Sequence, residues 1–261
     1  MEMARAVQQA LLNRPRPQLS GAKVAATCKA AEHIGGDFFT ISSANSQRLS
    51  GTAQRPGIIE YNATDHPSIS VGIGDVAGHG ISSALVMALA TGLLNELSRT
   101  KFNPAEILAE LNQDLCRYLK GSTVSYVTAI MGIYYPSEQR LVVARAGHPY
   151  PIRVPSNGPA ELLESDGIFL GMFENESFTE TSYATAPGDR LILFTDGITE
   201  CKNKQMEEFG LERLLQFATH NRALSPDDFV TALFNEVEIF THQKSPLDDQ
   251  TVVVMDLENN A

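Results

Sequence analysis

Two shortages bound what this chain of 261 residues can do. It has three cysteines, Cys28, Cys116 and Cys201, an odd and scattered set without a CxxC pair. That excludes a disulfide framework and a thiolate metal site, and it fits a reducing cytosol. Positive charge is also scarce, since 20 Lys and Arg against 31 Asp and Glu leave a net charge of −11. Such a surface repels nucleic acid and anionic membrane at long range, so neither is expected as a partner. Any phosphorylated ligand must then be received by a local positive element, and a bound cation would supply one. No basic and apolar leader opens the chain, and no apolar run is read as approaching the roughly 20 residues that span a bilayer. A cytoplasmic protein with no membrane span is the expectation. Apolar residues, by contrast, make up 43% of the chain, ample for a buried core in one large domain or two small ones.

The text of the chain changes character several times. Met1 to Leu12 has good helix propensity and is stopped by Pro15 and Pro17, so residues 1–20 read as a helix and linker and 21–258 as the main domain. From Ala22 the pattern is strand-like: AKVAATCKA, DFFTIS and SISVGIGDVAG. Ser42 to Pro67 is polar and rich in turn formers, and reads as a long hairpin connection or an insertion. Apolar residues at threes and fours predict a helix from Ile81 to Arg99. Asn103, Pro104 and Glu106 form a cap, first-turn proline and capping-box signature for a second helix. VSYVTAIMGIYYP and RLVVARAG read as a hairpin, RLILFTDGITE and QTVVVMDL as further strands. Helices are expected over Phe209 to Thr219 and from Ser225 to Phe240. Strands flank two helical blocks with no regular alternation, which favours a layered α+β sandwich over a doubly wound parallel sheet.

Aspartates beside glycine stand at the ends of these strands: Gly36-Asp37, Gly74-Asp75, Asp196-Gly197 and the pair Asp248-Asp249. Glycine permits close backbone approach and the carboxylate is a hard oxygen donor, as a Mg²⁺ or Mn²⁺ site requires. Asp-Gly is also a common turn dipeptide, and Asp189 in Pro187-Gly188-Asp189 is read as no more than that. Asp227 and Asp228 are read as first-turn acids of a capped helix. Asp75 and Asp196 differ because they close strongly apolar runs, where an unpaired charge would be costly.

In order, GGDFFT, GDVAGHGISSALVMA, RAGHPYP, GIFLGM, LILFTDGITE and DDQTVVVMDL resemble the bacterial PPM-type (PP2C-like) phosphatases of the SpoIIE and RsbU group, from Gly21 to Leu257. The resemblance implies a four-layer α-β-β-α sandwich with two central antiparallel sheets and a binuclear Mn²⁺ or Mg²⁺ site at one end. By position it implies that Asp75 is shared by both metals, with the Val76 carbonyl beside it. Asp37 is implied as a ligand of one metal and Asp196 and Asp248 of the other, with Asp249 a weaker ligand candidate acting from behind them. The implied reaction is hydrolysis of phosphoserine or phosphothreonine by metal-activated water, on a regulatory protein such as a small anti-sigma antagonist domain. Thr40 stands where many relatives carry an acid, and the group lacks the arginine with which eukaryotic relatives grip phosphate.

His79 and His148 stand in glycine-flanked turns, as general acids or as loop hydrogen-bonding residues. Cys201 reads as a buried, inert thiol. The helices after Asp75 resemble a switch moved by regulatory domains or a second subunit, so a homodimer, an upstream sensor domain or an activator is an expected partner. The chain reads equally as a stand-alone phosphatase or as part of a larger regulator. Two other readings stand beside the protein phosphatase: a catalytically silent phosphoprotein-binding module of the same fold, and a hydrolase of small phosphoesters.

Overall fold

The computed structural model describes residues 2–12, 19–44, 68–122 and 124–258. In chain order the elements are α1 (Glu2–Leu12), β1 (Ala22–Lys29), β2 (Phe38–Ala44), β3 (Ser68–Val76), α2 (Ile81–Thr100), α3 (Pro104–Leu119), β4 (Val127–Tyr135) and β5 (Arg140–Ala146). There follow β6 (Ile152–Val154), β7 (Glu161–Leu162), β8 (Glu180–Ala184), β9 (Arg190–Phe194), α4 (Asp196–Thr199), α5 (Leu211–His220), α6 (Pro226–Thr241) and β10 (Gln250–Leu257). The strands form two antiparallel five-stranded sheets, ordered β1-β10-β9-β6-β7 and β2-β3-β4-β5-β8.

Strand alternation explains the four layers. On β3, Ile69, Val71 and Ile73 face Leu191, Leu193, Val253 and Met255 of the other sheet, forming the middle of the sandwich. The opposite faces of β4 and β5, with Val127, Ala129, Met131, Val142 and Ala144, pack under α2 and α3. Ile192, Phe194, Val252 and Val254 face outward on the first sheet and bury α5 and α6. A period of two on the strands and of about 3.6 on the helices thus yields three apolar interfaces, the α-β-β-α arrangement expected.

The capping signals act as read. Asn103 Oδ1 accepts from Glu106 N at 3.0 Å, and Ser225 Oγ accepts from Asp228 N at 3.2 Å. β2 and β3 pair antiparallel from Phe38↔Gly74 to Ala44↔Ser68, as the two arms of a hairpin whose connection, with the 13–18 linker, lies outside the described residues. Contrary to the expectation about apolar runs, α2 does have the length and apolarity to cross a bilayer, with 20 residues and a mean hydropathy of 1.4. Its small and apolar residues serve packing instead: Met87, Ala90, Thr91 and Leu94 are buried against sheet and helix. Thr40 is buried over Gly72, beside Leu94 of α2, and belongs to that core.

Candidate active site

Pairing brings the aspartates to one end of the sandwich. Asp37 immediately precedes β2 and Asp75 is the next-to-last residue of β3, and these ends are registered by Phe38↔Gly74. Asp196 follows β9 and Asp248 precedes β10, registered by Phe194↔Val252. Four chain segments from two sheets therefore deliver carboxylates to a common rim.

Their surroundings differ. Asp37 is 1% exposed, and its Oδ2 accepts from the hydroxyls of Thr195 at 2.8 Å and Thr251 at 2.7 Å. Burial, followed by the charge of Asp75, holds its carboxyl well above the usual carboxylate range, while the two threonine hydroxyls pull it down. Asp75 is pushed up to about 7, first by burial and then by the charges of Asp196, Asp248 and Asp249. Asp196 is raised by burial and by Asp248. Asp248 is exposed. Among the described residues these side chains are not drawn into a closed cluster of three or more ligands; like charges oppose that closure.

The donor set nonetheless suits hard divalent cations. Every side chain in it is an oxygen donor, and the charges that raise Asp75 are ones a cation would offset. Gly36 leaves room beside the backbone carbonyl: a Cβ there would come within 2.8 Å of Val76 O and 3.2 Å of Asp75 Oδ1. Asp249 is placed differently from the others, with Oδ1 accepting from Ala31 N at 2.8 Å and Oδ2 from Gly36 N at 2.6 Å. It pins the loop that carries Asp37.

The histidines separate cleanly. His79 is exposed. His148 is 1% exposed, with Nδ1 2.9 Å from Thr128 Oγ1 and Nε2 3.1 Å from Phe194 O. The carbonyl requires a proton on Nε2, so Nδ1 accepts from the threonine. Burial lowers its pKa to about 3, keeping it neutral. Because Thr128 on β4 pairs with Asp75 on β3 and Phe194 lies on β9, the imidazole ties together the two sheets where they carry Asp75 and Asp196. Arg145 supports this loop by donating to Ser165 O at 2.7 Å and His148 O at 3.0 Å.

Sequence reasoning missed three contributors. Thr195 and Thr251 sit beside Asp196 and Asp248-Asp249 inside quoted motifs, and the signal was a buried hydroxyl next to a carboxylate. Gln8 of α1 had no local signal. It is 7% exposed, and its amide grips the backbone of one residue on both sides, donating to Gly35 O at 2.7 Å and accepting from Gly35 N at 3.1 Å. The N-terminal helix thereby holds the Gly35-Gly36-Asp37 loop directly. Replacing Gln8 by Leu strands two buried backbone groups, at a cost of about 1–3 kcal/mol each. We expect roughly 10- to 100-fold weaker Mn²⁺ binding, with Gln8→Glu, which keeps only the acceptor, intermediate. A Mn²⁺ titration unchanged in both variants would show that the grip is irrelevant to the site.

A family model described as Stage II sporulation protein E (SpoIIE) matches residues 65–258. The phosphoserine phosphatase RsbU of Bacillus subtilis (strain 168) is 26% identical over 219 residues, covering 83% of this chain and 58% of that protein. The chain thus spans somewhat over half the length of this relative. Among solved structures, the SiaA PP2C domain of Pseudomonas aeruginosa superposes with a TM-score of 0.77 at 17% identity, over 98% of this chain and 95% of that one. RsbX in complex with magnesium gives 0.63 at 14% identity, over 94% and 99%. These structures bear out the PPM phosphatase fold.

Proposed function

The chain belongs to the SpoIIE family, and from that premise we propose that it is a metal-dependent protein serine/threonine phosphatase. The observation that carries the reading is the convergence of four oxygen-donor carboxylates, from four chain segments, on one end of the sandwich. Asp75 would be shared by two Mn²⁺ or Mg²⁺ ions with the Val76 carbonyl beside it, Asp37 would hold one, and Asp196 and Asp248 the other. Asp249 orients the Asp37 loop from behind. When bound, such ions make a coordinated water nucleophilic near neutral pH and offset charge on the phosphate oxygens. RsbX, of the same fold, has been solved with magnesium.

The protein groups fit transfer of the phosphoryl group to water. Cys28 and Cys201 are held as thiols, raised to about 12 and about 11 chiefly by burial, so neither supplies a thiolate nucleophile. His148 has both ring nitrogens engaged and stays neutral, which makes it a positioning residue. Asp37, Thr195 and Thr251 form one hydrogen-bonded unit that fixes a carboxylate between the sheets.

The substrate is a phosphoserine or phosphothreonine protein, for which a small anti-sigma antagonist domain is the leading candidate. RsbU is itself a phosphoserine phosphatase. Exposed Ile81 and Leu85 on α2 and Met3 and Val7 on α1 offer apolar surface to a second subunit, an activator or an upstream sensor domain.

The test is phosphate release from a phosphoserine protein with Mn²⁺, with EDTA, and in Asp196→Asn. Turnover that requires Mn²⁺ and is lost in the variant is expected. Turnover persisting in EDTA would falsify the mechanism, and none under any condition would favour a silent phosphoprotein-binding module.

A further inference from the structure

A cleft of about 170 Å³ opens beside Asp248, between the C-terminal half of α6 and the turn after Asp196. Pockets that enclose metabolites or cofactors run to roughly 300–1,000 Å³, so this one has room for a single side chain. Its floor is apolar, formed by Phe234 and Val237, which are 5% and 3% exposed. Leu247 stands on the rim, 81% exposed, an unusual position for a large aliphatic residue beside an acidic site.

Three lysines line the same cleft, of which Lys202 is paired with Glu208. Lys29 lays its ammonium 4.2 Å from the centroid of the Phe234 ring, and Lys244 is exposed in the loop after α6. Neither forms an ion pair among the described residues. Glu200 and Glu238 also line the cleft, which argues against a phosphate being its occupant. Glu200, Glu238 and Asp248 balance Lys29, Lys202 and Lys244 around the mouth, so the cleft draws its occupant by apolar contact rather than by charge.

We propose that this cleft anchors an apolar side chain of the protein substrate lying close in sequence to its phosphoserine, a role that rests on the phosphatase reading above. Asp248 belongs both to the cleft lining and to the carboxylate rim, so anchor and reacting centre share a wall. An extended chain advances about 3.3–3.6 Å per residue, which puts the anchor within a few residues of the phosphoserine. The cleft then selects among phosphoproteins by what flanks the phosphate, and adds nothing to turnover of a small phosphoester that cannot reach it.

The probes are p-nitrophenyl phosphate and phosphoserine peptides in which one leucine is moved through the flanking positions of an otherwise alanine and serine sequence. The variants are Leu247→Ser and Gln243→Trp, both at exposed lining residues and neither adding charge beside Asp248, so that folding and the carboxylate rim are spared. We expect one leucine position to raise kcat/KM about tenfold in the unaltered protein, the gain from burying one such side chain. Both variants should lose that preference while p-nitrophenyl phosphate turnover is retained. A preference unchanged in both variants, or absent from a protein that turns over the peptides, overturns the proposal. So does a change of sedimentation in the variants, which would make a second copy the occupant. Failure of the unaltered protein to hydrolyse either probe with Mn²⁺ would remove the phosphatase reading itself, and the anchor with it.

Discussion

Asp75→Asn is expected to lower phosphate release by at least roughly 10³-fold with Mn²⁺ present, and at the same time to stabilise the protein in EDTA. The loss follows from the proposed role, because one carboxylate would face both cations and no other group is placed to replace it. The gain follows from the surroundings of Asp75. Its carboxyl is pushed up to about 7 by burial and by Asp196, Asp248 and Asp249, so its ionised form is disfavoured in the fold. A carboxylic acid with a raised pKa costs nothing while both states are protonated, below about pH 4. The cost grows as pH rises toward 7 and is complete above it. The neutral amide escapes that cost, so the advantage of Asp75→Asn should be absent at pH 4 and reach about 2 kcal/mol above pH 7, discounted for solvent reaching the rim. Urea unfolding in EDTA at the two pH values measures it. An inactive variant no more stable than its parent at pH 8 would mean that carboxylate repulsion is not a feature of this rim.

The fold was legible where one physical rule decided each segment. β3, β4 and β10 are long runs, and β9 a shorter one, with apolar residues on both faces, because each is covered on one side by a sheet and on the other by helices. Asn103 and Ser225 announced α3 and α6 through caps that need only local chemistry. β6 and β7 were not read, since three and two residues carry too little periodicity, and β8 was not, since its five residues ETSYA are mostly polar. β8 is an edge strand alternating exposed and half-buried positions, stabilised by its pairing with β5 rather than by its composition. The carboxylates were legible because an acid closing an apolar run is conspicuous, whereas Gln8 was not. Its partner is 27 residues away, and a glutamine in a helix looks the same whether it is solvated or gripping a loop. His148 carried an ambiguous signal, and its roles divided only once Thr128 and Phe194 were seen on either side of it.

Gly197→Ala is expected to be the most damaging single-methyl change at the rim, lowering stability by about 3 kcal/mol and Tm by roughly 10 °C. The reason is a close approach of main chain to main chain. A Cβ at Gly197 would lie 2.0 Å from Asp249 O and 3.0 Å from its carbonyl carbon, and backbone cannot yield as the end of a flexible side chain can. The same turn is fastened to β10 by Gln250 Nε2 donating to Gly197 O at 3.0 Å, so α4 and the start of β10 must separate to admit the methyl. Since Asp196 rides on one and Asp248 and Asp249 on the other, phosphate release should fall well below Tm as well. Gly92→Ala in α2 is the control, because nothing lies within 4 Å of its Cβ position. In that exposed helix interior alanine should instead stabilise, by up to about 1 kcal/mol. Thermal unfolding of the two variants side by side decides it. A Gly197→Ala protein that melts with Gly92→Ala would mean that the turn and β10 do not meet as closely as described, and the convergence of Asp196 with Asp248 would lose its main support.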